Sequence, residues 1–506
     1  MKKELKNFQK YLVEHKKAIL FLFLFSLCIY GIKLFNYSIS IDTEVIINIP
    51  NSLFRTWIEI GRPCLVVLKK ILMLDPFNPI LSVQLTYILF TVFAILLYYI
   101  FYRLSPKKSN INLAVFGSIL LSSAIYIEQL NFTLQSAEVA LGLNLLILGI
   151  WLFCVGNEQK KKIAYFLSFL LTAFSFGIYQ SLVIIFITII ALIIMIKIKK
   201  NQLDWKSTIK FLLTSIGIFL ISFIGYFIGN KLTMMYIDGV SNSYLTNQIQ
   251  WLKEPILTTV KSIATIIYNG YFGALKGNRL FYGYINILAF IFIMYYIINI
   301  FLKKEKNKSL KILASLIILL VPFTLTIFMG NSEAYRAQLA LPIVIAVIIT
   351  FFKEEFANYK YLNTISLIII IILIGHQSVL TNRLLVSDYY RYVEDVNYAN
   401  LLYQEISQYD IENKRVVMLG SHTPTSTLIT TKGEVMGYSF FEWDRYEKYG
   451  VGVRAGNFMR ALGYEINVPN EEDYKVAKEF ESDLEVFPKE NSIMEYQDLV
   501  IVKLSE

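Results

Sequence analysis

Long apolar runs separated by short polar connectors fill the chain from residue 18 to residue 377. A helix needs about 20 apolar residues to cross roughly 30 Å of hydrocarbon, and runs of that order recur along this stretch. Read against turn and charge punctuation, they predict about eleven helices. These are Ala18 to Phe35, Pro79 to Tyr102, Ile111 to Ile127, Val139 to Val155, Ile163 to Ile178, Ser181 to Met195, Thr208 to Gly229, Phe281 to Leu302, Leu310 to Phe328, Ala337 to Phe352 and Tyr361 to Gln377. The expected fold is mainly α, a polytopic helical bundle in a membrane. In the seventh helix Gly225 and Gly229 form a small-xxx-small pair, read as helix packing.

The pattern then changes. After residue 377 the chain mixes a helical run, Tyr389 to Gln408, with short β-type runs, Val416 to Leu419 and Leu499 to Leu504, which predicts a small extracytoplasmic α/β domain. The expected organisation is a transmembrane domain over 1–379, with outer loops 36–78 and 231–279, followed by the α/β domain over 380–506. In the first loop, Ile46, Ile47, Leu53, Phe54, Trp57 and Ile58 suit a helix lying along the interface, with Trp57 at headgroup depth.

Composition supports a bilayer as solvent: 56% of the 506 residues are hydrophobic, 17% are charged, and the mean hydropathy is +0.53. The net charge of +10 is spread as short lysine clusters between apolar runs, which argues against nucleic acid as a partner and for topology signals. Six lysines up to Lys17 precede the first helix, and Arg103, Lys107, Lys108, then Lys160 to Lys162, then Lys197, Lys199, Lys200, then Lys303, Lys304, Lys306 and Lys308 fill every second connector. Those connectors are expected in the cytoplasm. The protein is therefore expected in the cell membrane as a multi-pass chain, its amino terminus inside and its carboxyl terminus outside. The first run lacks a small-residue cleavage motif and reads as a retained helix. Neither Cys28, Cys64 and Cys154 nor His15, His376 and His422 have a metal-like spacing.

Chemistry concentrates just after the first helix, in Tyr37-Ser-Ile-Ser-Ile-Asp-Thr-Glu44 and Trp57-Ile-Glu-Ile-Gly-Arg-Pro63. Two carboxylates two residues apart, Asp42 and Glu44, offer a general base and a partner for a sugar hydroxyl or a metal; the plain alternative is a pair of solvated loop acids. Arg62 offers bidentate phosphate binding, or else an interfacial anchor.

The stretch from Ile41 to Pro63 resembles the first outer loop of the GtrII-like family, the phage-type serotype-converting glucosyltransferases, with its acidic pair, tryptophan and Gly-Arg step. Three further stretches agree in order. Glu128-Gln-Leu-Asn-Phe-Thr-Leu-Gln-Ser136 resembles the family's second outer loop, Gly177-Ile-Tyr-Gln-Ser181 its Tyr-Gln turn, and Gly437-Tyr-Ser-Phe-Phe-Glu-Trp-Asp444 its carboxyl-terminal pattern. Where the family often carries a basic residue and an aspartate, this chain has Thr133 and Gln135, and Thr43 interrupts its acidic pair.

The resemblance implies a GT-C type membrane glycosyltransferase that moves a hexose, glucose first, from a polyprenyl-phosphate sugar donor to a surface glycan acceptor, with inversion. It makes Asp42 the base, with Glu44 orienting the acceptor or holding a divalent cation; whether such a cofactor is used stays open. Arg62, Lys276, Arg279 and Arg336 become candidates for the donor phosphate, and Trp57, Glu128, Gln129, Tyr179 and Gln180 for the sugar or acceptor. The chain shows no Gly-rich nucleotide loop after a strand, which agrees with a lipid-borne donor. The alternatives are a transporter or flippase of lipid-linked saccharides, which usually carries ionisable residues near mid-membrane, and a polysaccharide polymerase or ligase.

Overall fold

The computed structural model describes residues 2–106, 109–240, 249–251, 253–303, 305–353 and 359–506. Lys107, Lys108, Lys304 and part of the expected outer loop 231–279 lie outside the described residues.

Every expected apolar segment is helical, but the segments are not equal. Among the described residues eight helices are long and apolar enough to cross a membrane, from Lys16–Phe35 to Lys360–Ile406. A bent pair of helices, Asn110–Leu121 and Ala124–Leu130, meets at 55° and makes a ninth if the two are counted as one span. The break falls at Ser122, whose hydroxyl donates to the Ser118 carbonyl at 2.7 Å. Such back-bonding competes with the helical ladder and bends helices.

Two segments are short, Lys162–Phe176 with 15 residues and Ala340–Phe352 with 13. At about 1.5 Å per residue, both fall short of a full hydrocarbon crossing. All of Ala340–Phe352 is buried within the protein. Hydropathy reads an apolar helix shielded by other helices in the same way as one facing lipid, which is why the two are not separable in the sequence.

The chain divides into two compact units, one of residues 1–31, 54–130 and 135–381, the other of residues 32–53, 131–134 and 382–506. In the first, the helices Pro79–Leu104, Ser136–Gln159 and Lys162–Phe176 pack side by side. Gly149 lets two of them approach, since a Cβ there would lie 2.8 Å from the Thr172 hydroxyl. Gly225 serves the expected packing role against Phe169, 2.8 Å from its would-be Cβ, whereas Gly229 faces open space. A wholly buried ion pair, Lys69 to Glu138 at 2.7 Å, sits under Trp57.

The first loop departs from the expected single interfacial helix. Pro50, which favours a helix start and restricts the residue before it, divides the loop into Thr43–Asn48 and Pro50–Glu59. Trp57 is buried by protein at 4% exposure and stacked on Phe54.

The second unit holds a three-stranded sheet. Strand β1 (Arg415–Leu419) pairs in parallel with β3 (Leu499–Lys503), and β2 (Ile493–Tyr496) pairs antiparallel with β3. Val417, Leu419, Ala477, Leu484, Leu499 and Ile501 form its core. Helices Gly452–Ala461 and Glu471–Lys478 lie against β1. Strands β1 and β3 stand where the β-type runs placed them. Strand β2 escaped because it is half-exposed and carries no apolar alternation.

Candidate active site

Asp42 and Glu44 open the short helix Thr43–Asn48, which packs on helix Gly452–Ala461 in the second unit. Asp42 adopts φ +72°, a left-handed conformation that aspartate and asparagine tolerate better than most residues. Its hydroxyl-bearing neighbours fix the turn: Ser40 Oγ and Thr43 Oγ1 are 2.9 Å apart, and Thr43 Oγ1 is 3.1 Å from Thr133 Oγ1.

The two carboxylates meet one guanidinium. Arg454 Nη1 donates to Asp42 Oδ1 at 3.0 Å and to Glu44 Oε1 at 2.7 Å, while its Nε donates to Asp444 Oδ2. The acids differ in burial, the Asp42 side chain being 46% exposed and that of Glu44 2%. Burial pushes the Glu44 carboxyl up from 4.5 to about 7, against the pull of Arg454 and with help from the Asp42 and Asp444 charges. Its second oxygen is buried with no hydrogen-bond partner among the described residues. For Arg454 burial works against the charge, and the carboxylates of Glu44, Asp42 and Asp444 outweigh it, so its pKa is raised. The cluster thus pairs a reachable carboxylate with a shielded one of near-neutral proton affinity, the range in which general acid–base groups work best.

A second set of charges anchors this loop. Asp388 accepts from Arg391 Nη2 at 2.9 Å, Lys33 Nζ at 3.3 Å, Asn131 Nδ2 at 3.3 Å and the Gly437 N–H at 3.2 Å. Arg391 also donates to Asp395 at 3.2 Å and to the Ile39 carbonyl at 3.2 Å, three residues before Asp42. Asp395 accepts from the Ser439 hydroxyl and the Phe440 N–H. Four positions of the stretch 437–444 therefore have a structural role. Gly437, at φ +84°, caps Asp388, Ser439 and Phe440 satisfy Asp395, and Asp444 holds Arg454.

In the first unit, three of the stretches singled out in the sequence converge. Arg62 donates from Nε to Gln180 Oε1 and from Nη1 to Gln135 Oε1, both at 3.1 Å, and its guanidinium lies 4.9 Å from the Tyr179 ring centre. Tyr179 donates to Gln129 Oε1 at 2.8 Å, and Gln180 Nε2 donates to the Ile60 carbonyl at 2.6 Å. Gly61 is required here. At φ +87°, any Cβ would fall 2.6 Å from the Tyr226 hydroxyl and 3.0 Å from Gln180 Nε2. An arginine ringed by amide and phenol groups suits a phosphate or a sugar hydroxyl.

The other candidates are placed as follows. Glu128 is buried in helix Ala124–Leu130, next in sequence to Gln129, and the turn Tyr335–Ala337 that carries Arg336 packs on that helix. Lys276 lies 4.7 Å from the Tyr268 ring and Arg279 5.6 Å from the Tyr284 ring. Asn278, which donates to the Tyr335 hydroxyl at 2.9 Å, pins their segment to the Arg336 turn. Among the described residues no hydrogen bond joins Lys276 or Arg279 to the Arg62 group. Trp57 contacts Phe54 and the Lys69 ammonium, the latter at 5.8 Å.

Sequence reasoning missed Arg454, Asp388, Arg391, Asp395 and Lys33. The one signal for them was local: Lys33 is a charge inside an apolar helix, which normally implies a partner. Among the described residues no group of three or more His, Cys, Asp or Glu side chains is disposed to hold a metal ion. Between Asp42 and Glu44 lies an arginine, itself a cation.

Neither the curated proteins nor the solved structures contain a match to the chain. A model of the glucosyl transferase GtrII family matches residues 31–353, which include the acidic pair, the Arg62 group and most of the apolar helices. That match covers more than half of the sequence, and with it the chain is placed as a multi-pass membrane protein belonging to the GtrII glucosyl transferase family.

Proposed function

We propose that the protein transfers a hexose, glucose in the first instance, from a polyprenyl phosphate to a glycan at the outer face of the cell membrane, inverting the anomeric centre. The observation that carries this reading is the Asp42–Glu44 pair on Arg454, in a chain of a glucosyl transferase family. The alternation of lysine-rich connectors supports the outer face for this loop.

In this reaction the acceptor hydroxyl attacks the anomeric carbon as the bond from that carbon to the phosphate oxygen breaks. The proton of the hydroxyl passes to Asp42, whose half-exposed carboxylate an acceptor can reach, and polyprenyl phosphate leaves with the bonding electron pair. Glu44 holds the acceptor's orientation. Arg62, with Lys276, Arg279 and Arg336 as further cationic groups, stabilises the charge on the departing phosphate. Tyr179, Gln180, Gln129, Glu128 and Trp57 serve sugar or acceptor recognition. Arg454 supplies a positive charge shared by both carboxylates.

The test is surface-glycan modification in a deletion strain complemented with Asp42→Asn at equal membrane abundance. Asparagine suits the left-handed backbone at this position and keeps a side-chain oxygen that can accept from Arg454, so folding is expected to be spared, which equal membrane abundance checks. Modification is expected to fall by about a hundredfold or more. Modification equal to the parent's would overturn the assignment of the base.

A further inference from the structure

We propose that Arg454 is the positioning residue of the acidic pair, holding both carboxylates through one nitrogen of a guanidinium whose other edge is fixed by Asp444. The proposal rests on the reading of Asp42 as the base given above, and adds to it a residue outside the matched family region, which ends at residue 353.

Geometry carries the assignment. Arg454 lies in the first turn of helix Gly452–Ala461, and its side chain is 15% exposed. The helix is held in place on several sides. Phe458 stacks on Phe440 with ring centres 4.2 Å apart and planes 9° from parallel, and the Asn457 carbonyl accepts from Asn48 Nδ2 at 2.7 Å. Gly456 presses against Val468, where a Cβ would come within 2.6 Å. A planar fork on such a helix has a fixed direction. Asp444 takes its Nε, so Nη1 is left aimed at Asp42 Oδ1 and Glu44 Oε1, 3.0 and 2.7 Å away. A lysine would supply the charge without the fork.

The other charged groups on the packed elements are spoken for. Arg460 donates to the Ile466 carbonyl, Arg415 pairs with Asp473, and Lys432 and Arg445 pair with Glu442. Arg391 is paired with Asp388 and Asp395, and Thr43–Asn48 carries no charge besides Glu44. Burial is the largest influence on the Glu44 carboxyl, and of the charged groups around it Arg454 favours its ionised form while Asp42 and Asp444 oppose it. Removing the cation favours protonated carboxylates, and removing the Asp444 charge favours ionised ones.

The experiment measures transfer from polyprenyl-phosphate glucose by the purified full-length protein over about pH 5 to 9, for the parent, Arg454→Gln, Arg454→Lys and Asp444→Asn. Arg454→Gln is expected to lose about a hundredfold at neutral pH and to move the acid limb of the profile upward by about one unit. Arg454→Lys should recover part of the rate, with its limb near the parent's. Asp444→Asn should move the limb in the opposite direction, to lower pH, which no general loss of folding would produce, so the test survives if Arg454→Gln fails to fold. Unshifted limbs in both Arg454→Gln and Asp444→Asn would overturn the proposal, whatever the absolute rates. Asp42→Asn measured alongside keeps the two claims apart. If it is fully active, the choice of base fails. If it is inactive while the other profiles stay unshifted, the positioning role alone fails.

Discussion

Glu44 and Asp42 are two residues apart and chemically alike, yet burial separates them. The Glu44 carboxyl is lifted from 4.5 to about 7 by burial, so the folded protein holds its proton more tightly than the unfolded chain. The sign follows from linkage: stability contributed by this group falls as pH rises from about 4.5 through about 7, because ionisation is disfavoured in the fold. Thermal unfolding of detergent-solubilised protein across this window should show the parent losing up to about 3 kcal/mol relative to Glu44→Gln, which cannot ionise. Parallel pH dependences for the two proteins would mean that Glu44 is not shielded. The acidic pair was legible in the sequence through its place after the first helix and its family resemblance. Arg454 was not, since its contact with Glu44 spans 410 positions and nothing around an arginine in Val-Gly-Val-Arg-Ala-Gly marks it out. Gln180 and Tyr179 were legible as a turn, but their partner Arg62 could be joined to them only by the fold.

At the level of elements, the long helix Lys360–Ile406 contributes residues 382–406 to the second unit, and its polar end is organised by Asp388, Arg391 and Asp395. All three are at most 1% exposed. Breaking a buried charge network by removing one member typically costs about 3–5 kcal/mol, because the remaining charge is left without compensation. Asp395→Asn is expected to lower the stability of the protein by that order, and to disturb the Ser439–Phe440 segment that it holds. A melting temperature equal to the parent's would show that Arg391 is satisfied elsewhere. Hydropathy gave the position of each apolar helix, but not that Ala340–Phe352 is enclosed by protein or that residues 110–130 bend at Ser122. Both depend on what packs around the helix. In the second unit the two strands with continuous apolar runs, β1 and β3, were readable, while β2 exists because β3 offers it an edge.

For the whole molecule, the proposed orientation rests on the charge pattern, which packing alone does not supply. Reporter fusions after Lys108, Lys162 and Lys304 are expected to report cytoplasm, and those after Gly330 and Glu506 the exterior. The parity depends on the two short helices, Lys162–Phe176 and Ala340–Phe352, and on the bent pair Asn110–Leu121 and Ala124–Leu130, so fusions on either side of each are the informative ones. A cytoplasmic carboxyl terminus would contradict the assignment. The proposed donor follows from the proposed orientation, since an outward-facing transferase would have no access to cytoplasmic nucleotide sugars. The most direct measurement is therefore made with the purified protein and defined donors. Polyprenyl-phosphate glucose should yield a glucosylated acceptor with inverted configuration, and nucleotide-linked glucose alone should yield none. Turnover of the nucleotide sugar without a lipid intermediate, at a rate matching or exceeding that of the lipid-linked donor, would contradict the account.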